Sequence, residues 1–270
     1  MNRTLLATAS LLACSLGCAA PEAQKSSPSA TGGDPAPSTS GTGGASATPV
    51  NPLGRARCAP PQGMSGTPGT IEDAVGLLNA LPKPTSVACF VESLDRPLAA
   101  YATSSVSSAQ PASYSESPRV FLEIGRMWLS IAIDGASSYL IEFGYLTDDG
   151  LRSTKGELKL PLTDIISPTL PFDRVVYQYG GTVCGLCHRG EQVDHVEGTA
   201  QIFSSLAFRP DPSTRVPLDF LFSQAQSCDW QAQPNRCEML WALFGGGAVD
   251  DAEFPASMAT FIPVATASAN

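Results

Sequence analysis

The chain has 270 residues, of which 43% are hydrophobic and only 15% charged, with 24 Gly and 23 Pro. Its 16 Lys and Arg against 25 Asp and Glu leave a net charge of -9. Phosphate contacts need clustered cations, so this balance argues against nucleic-acid binding and against electrostatic docking on anionic lipid. No internal apolar run approaches the ~20 residues of a membrane helix. The best, Met239 to Val249, stops short and holds three glycines.

Residues 1–18 read as an export signal, with Arg3 ahead of the apolar run Leu5 to Ala13. Two sites resemble the cleavage box of bacterial lipoproteins, Leu11-Leu12-Ala13-Cys14 and Ser15-Leu16-Gly17-Cys18. Cleavage before Cys18 leaves an even set of six further cysteines, which makes Cys18 the preferred lipidation site over Cys14. The expected protein is therefore exported and lipid-anchored to the bacterial cell envelope, on its periplasmic or outer-membrane face. Residues 19–57 are nearly all Ala, Ser, Thr, Gly and Pro through Gly54. Such a segment buries too little to offset ordering and serves as a disordered tether, ~30–35 Å between its ends.

Folded structure is expected from Cys58. Thr70 reads as a helix cap, Ile71, Ala74, Val75, Leu78 and Leu81 recur at helical spacing, and Pro82 ends the run. Val87 to Val91 is a short apolar run that suits a strand. Val120–Ile124 and Met127–Ile133 predict a hairpin across Gly125-Arg126. The alternation of Tyr139, Ile141, Phe143 and Tyr145, then of Leu158 and Leu160, continues an antiparallel meander through turns at Gly135 and Gly150. This is a β-meander or one layer of a sandwich, and Val175 to Tyr179 suits one more strand. After Gly180 the pattern turns helical, over Ala200–Phe208, Leu218–Gln226 and Arg236–Phe244, with Asn235 as a cap and Gly245 as a stop. The predicted class is α+β: a β-rich head over 58–179, then a small helical, haem-binding part over 180–265.

One constellation carries chemistry: Cys184-Gly185-Leu186-Cys187-His188. Cys-x-x-Cys-His is the attachment signature of c-type haem. The spacing has a physical reason, because one helical turn lets two thiols reach the two vinyl groups on one edge of a porphyrin. The next residue then places an imidazole under the iron. On this motif, and loosely on the ~80 residues after it, the chain resembles c-type cytochromes. The resemblance implies one covalent haem c, thioether bonds from Cys184 and Cys187, His188 as proximal ligand and a redox partner protein. Tyr177 and Tyr179 echo an aromatic often found upstream of the motif, whereas Pro168 and Pro171 break the helix from which such proteins usually enter it. Three residues compete as second axial ligand. Met258 lies in a Pro-containing loop, Met239 in an apolar helix where a core role suits it better, and His195 beside Asp194, where a surface role does. Trp230 and Trp241 could wall a haem pocket or serve as ordinary core aromatics.

The same pentapeptide permits a Cys184–Cys187 disulfide, a redox-active pair or a zinc site. Of the other cysteines, Cys228 and Cys237 suit a clamp between two helices, and Cys58 and Cys89 a tie between the first segment and the body, although spacing leaves connectivity open. No phosphate-binding loop, Gly-x-Ser-x-Gly elbow or His-Glu-x-x-His is present. Two functions follow: an anchored haem protein transferring electrons, as a carrier rather than an enzyme, or a non-catalytic lipoprotein whose disulfide-stapled β-layer binds a partner or glycan.

Overall fold

The computed structural model describes residues 52, 54–108, 110–113, 116–177 and 180–261. The signal segment, Cys14, Cys18, nearly all of the tether and Tyr179 lie outside these residues. No described helix is long and apolar enough to cross a membrane.

The elements run α1 (Ile71–Ala80), α2 (Val87–Ser93), β1 (Leu98–Thr103), β2 (Arg119–Ile124), β3 (Met127–Ala132), β4 (Leu140–Leu146), β5 (Arg152–Lys159), α3 (Leu170–Val175), α4 (Gly185–His188), β6 (Gln192–Glu197), β7 (Ala200–Leu206), β8 (Phe208–Arg209), a short 3-10 turn, β9 (Arg215–Val216), α5 (Leu218–Gln226), α6 (Pro234–Phe244), β10 (Val249–Asp251) and β11 (Ala259–Thr260). Nine strands form one sheet in the order β10-β1-β2-β3-β4-β5-β7-β6, with β9 alongside β1, and β8 pairs with β11 in a separate ribbon. The protein is α+β. The meander β2 to β5 is antiparallel in sequence order, and Gly125 takes the positive φ its first turn needs.

Alternation along these strands sorts the side chains into two layers. Val120, Leu122, Leu129, Ile131, Ile141, Phe143 and Leu158 point to one face and join α1, α2, α5 and α6 in a single hydrophobic cluster. Phe90 of α2 and Leu240 of α6 are fully buried there. The other face carries Tyr101, Trp128 and Leu146, closed over by the 252–258 segment. Trp128 stacks on Phe254 with ring centroids 4.1 Å apart, while Tyr101 and Phe121 meet the same ring edge-on at 5.1 Å.

Helix α1 begins as its sequence predicts. The Thr70 hydroxyl accepts from Asp73 N at 3.1 Å and the Asp73 carboxylate accepts from Thr70 N at 3.2 Å, a reciprocal capping box. Thr70→Ala removes one half of it, and the chain should lose about 1 kcal/mol in denaturant unfolding.

Six expectations are corrected. Val87 to Val91 belongs to helix α2, where Ser86 caps Cys89 N; every residue of that helix is buried, so no polar stripe marks the helical period. Pro171 does not break a helix but sits in the first turn of α3, where its missing N–H costs nothing. That helix ends at Val175, so no strand spans 175–179 in the described residues. Ala200–Phe208 is not helical: β7 occupies Ala200–Leu206, with both Ile202 and Phe203 buried. Because β7 pairs with β5 of the meander, the sheet runs straight through the boundary expected near residue 180. The helices read at Leu218–Gln226 and Arg236–Phe244 are present as α5 and α6. Pro234 rather than Asn235 opens the second, and Gly245 closes it.

Candidate functional site

Cys184 to His188 forms a single helical turn. Its carbonyl at Cys184 accepts from Cys187 N at 3.2 Å and from His188 N at 2.9 Å, which puts the two sulfurs and the imidazole on one short element. The turn is held from both sides. Upstream, Val176 and Thr182 form an isolated bridge. Downstream, the Glu191 carboxylate accepts from Thr182 N at 2.7 Å and from the Thr182 hydroxyl, and that hydroxyl also lies 3.2 Å from Gly185 N. Gly185, the first variable residue of the motif, is fixed by this clamp: a Cβ there would stand 2.7 Å from a Glu191 carboxylate oxygen. Glu191→Ala leaves the buried Thr182 N–H unpartnered. It should cost about 1–3 kcal/mol in stability and raise hydrogen exchange at Thr182 and Gly185.

The His188 ring is half-buried. Its Nδ1–H donates to the Leu206 carbonyl at 2.9 Å, and Phe208 and Phe261 lie beside it with centroids at 5.6 and 6.5 Å. Strand β7 therefore orients the imidazole, and fixing the proton on Nδ1 leaves the lone pair on Nε2 as a potential ligand. Burial, with the Lys155 charge adding to it, pushes the imidazole pKa down to about 3. The ring is thus neutral, as a metal ligand must be, across the whole physiological range.

Cys184 is half-buried and Cys187 exposed, and neither is disulfide-bonded. Cys184 packs toward charged side chains on the second face of the sheet. There the Arg119 guanidinium donates to Glu142, Ser130 and Ser108, and Lys155 stands on the adjoining strand. Burial pushes the Cys184 thiol up to about 11, with Lys155 opposing the shift. Burial likewise lowers Lys155 to about 8. Sequence reading missed this charged row. Its register was legible, since Glu142 pairs with Glu157 and Gly144 with Lys155, but nothing in the sequence says that α4 folds over it.

The remaining cysteines pair as Cys58–Cys89 and Cys228–Cys237. The second-ligand candidates are dispersed. Met258 is 3% exposed and packs in the cluster of Trp128 and Phe254, so its thioether is occupied as core filling. Met239 is buried in the first cluster. His195 is exposed on edge strand β6, 3.4 Å from Asp194. Among the described residues, no three or more His, Cys, Asp and Glu side chains converge as a metal cluster. Helices α5 and α6, expected to hold the haem, join the first cluster instead, on the sheet face opposite Lys155. Trp241 of α6 accordingly belongs to that side of the protein, and Trp230 to the turn that leads into it.

The donor types are those a covalently attached porphyrin needs: two thiols outside any disulfide, a helical turn apart, and a neutral imidazole with one nitrogen already anchored. The outer rim of the turn is apolar, whereas Cys184 faces the charged row of Arg119, Glu142 and Lys155. Val176, Tyr177, Val183 and Leu186 are all exposed around the turn, Leu186 at 73%, an unusual concentration for a water-facing loop. No family model, curated protein or solved structure matches the chain.

Proposed function

We propose that the chain is an exported, lipid-anchored c-type haem protein that passes electrons through one covalently held haem. One observation carries the reading. In a chain whose other described cysteines are all disulfide-bonded, Cys184 and Cys187 remain thiols on the turn that also presents His188. Cys184 and Cys187 would hold the porphyrin edge, and His188 Nε2 would ligate the iron. Haem iron supplies a one-electron couple whose potential responds to its axial ligand and to the polarity around it. The chain's own contribution is orientation: Leu206 fixes the imidazole, the Glu191 clamp fixes the turn, and Phe208 and Phe261 keep water from one side of the ring. A redox partner would dock on the apolar rim around Leu186.

Visible absorption tests the proposal. Co-expressed with a haem-attachment system, the full chain should be red, and the colour should stay with the polypeptide through acidic organic extraction. A folded but colourless product contradicts it and leaves the disulfide-stapled binding lipoprotein as the reading.

A further inference from the structure

We infer that the haem-free chain carries out two-electron thiol–disulfide exchange, with Cys187 as the entry thiol and Cys184 as the resolving one. The activity is separate from haem binding, because thioether bonds would consume both sulfurs. It rests on an asymmetry within one helical turn. Cys187 is exposed, on a loop whose neighbours Val183 and Leu186 also face outward. Cys184 lies deeper, half-buried toward Lys155 and Glu142. Residues three apart on a helical turn have Cα atoms ~5 Å apart, inside the range a disulfide spans. The order is the reverse of sequence order, since the second cysteine of the motif is the one a solution disulfide meets first.

The chemistry balances with a small-molecule or protein disulfide as oxidant. The Cys187 thiolate attacks one sulfur of that disulfide; its S–S bond breaks and one thiolate leaves. The Cys184 thiolate then attacks Cys187 Sγ, forming the internal disulfide and expelling the second thiolate. The two protons from the cysteines go to the two departing thiolates, and the two electrons reduce the oxidant. In the reverse direction a reductant's thiolate attacks Cys187 Sγ and Cys184 departs. The Lys155 ammonium then provides the counter-charge beside the leaving sulfur.

The test uses the full chain produced without haem attachment, with oxidised glutathione as probe. Wild type should lose the thiols of Cys184 and Cys187 and carry no lasting adduct on either, as read by alkylation and mass of the proteolytic peptide that holds both. Cys184→Ser should accumulate one glutathione adduct on Cys187. Cys187→Ser should form its adduct at least about tenfold more slowly. Limiting iodoacetamide on wild type gives an independent reading and should label Cys187 ahead of Cys184, with the preference vanishing in denaturant. Equal rates for the two variants, stable adducts on wild type, or equal labelling in the folded state would each overturn the inference. None of these outcomes bears on whether haem attaches when an attachment system is present.

Discussion

Replacing both Cys184 and Cys187 with Ser is expected to abolish covalent porphyrin attachment while leaving the fold standing. Neither side chain belongs to either hydrophobic cluster. Cys187 is exposed and Cys184 only half-buried, so little apolar burial is lost. Substitutions outside the core usually shift stability by no more than about 0.5 kcal/mol. The α4 turn is held by backbone bonds and by Glu191; the Cys184 thiol adds a bond to the Thr182 side chain, which a serine hydroxyl can replace. Haem content should therefore fall to background with an unfolding midpoint close to wild type. The single variants should each retain one thioether, visible as haem on a tryptic peptide carrying the surviving cysteine. Normal haem loading of the double variant would show that attachment, if any, occurs elsewhere.

The opposite pattern is expected for Cys58→Ala with Cys89→Ala. This disulfide spans 31 residues, and chain-entropy arguments put its contribution at about 3–4 kcal/mol. It also holds the first described segment against the core. Arg55 donates to the buried Glu92 carboxylate at 2.8 Å, and Cys58 N donates to the same oxygen at 3.0 Å. Arg57 reaches the Glu92 carbonyl and the Gly246 carbonyl beyond α6. Freed from Cys89, this segment must keep its place through non-covalent contacts such as these and the Arg55–Glu238 pair at 2.9 Å, with Glu92 only 2% exposed and costly to leave without its partners. Denaturant unfolding should show the full loss, and haem loading of the fraction that folds should be unchanged. A loss below about 1 kcal/mol would mean that the Arg55–Glu92 contacts carry the segment without the disulfide.

The parts of the fold that were legible in the sequence are those with a clear period; even β3, buried along its whole length, alternates Met127, Leu129 and Ile131 with Trp128, Ser130 and Ala132. The strands β2 to β4 alternate because one side meets the helices, and their turns carry Gly at positive φ. Helix α1 shows its period because Glu72 and Gly76 break up the buried stripe. Two elements with consecutive buried residues and no such alternation lost that signal. The α2 run was read as a strand because nothing in it is exposed, and β7 as a helix because Ile202, Phe203, Ser204 and Ser205 are buried in succession. Strand β6 failed in the opposite way: all six residues are exposed on a sheet edge, so Gln192 to Glu197 look like a loop. Within the site, local spacing identified Cys184, Cys187 and His188. Glu191 follows the motif by three residues, but Arg119, Lys155 and Leu206 come from three separate strands, and only the tertiary fold gathers them. Met258 looked available because its loop contains Pro255, but the neighbouring Phe254 stacks on Trp128 and draws the methionine into the core.

Intact mass of the purified full chain, produced alongside a haem-attachment system, tests the central claim most directly. The account predicts a gain of ~616 Da for one covalently bound haem, mapped by proteolysis to the peptide containing Cys184 and Cys187. A folded chain at its unmodified mass, or lighter by ~2 Da through a Cys184–Cys187 disulfide, would contradict it.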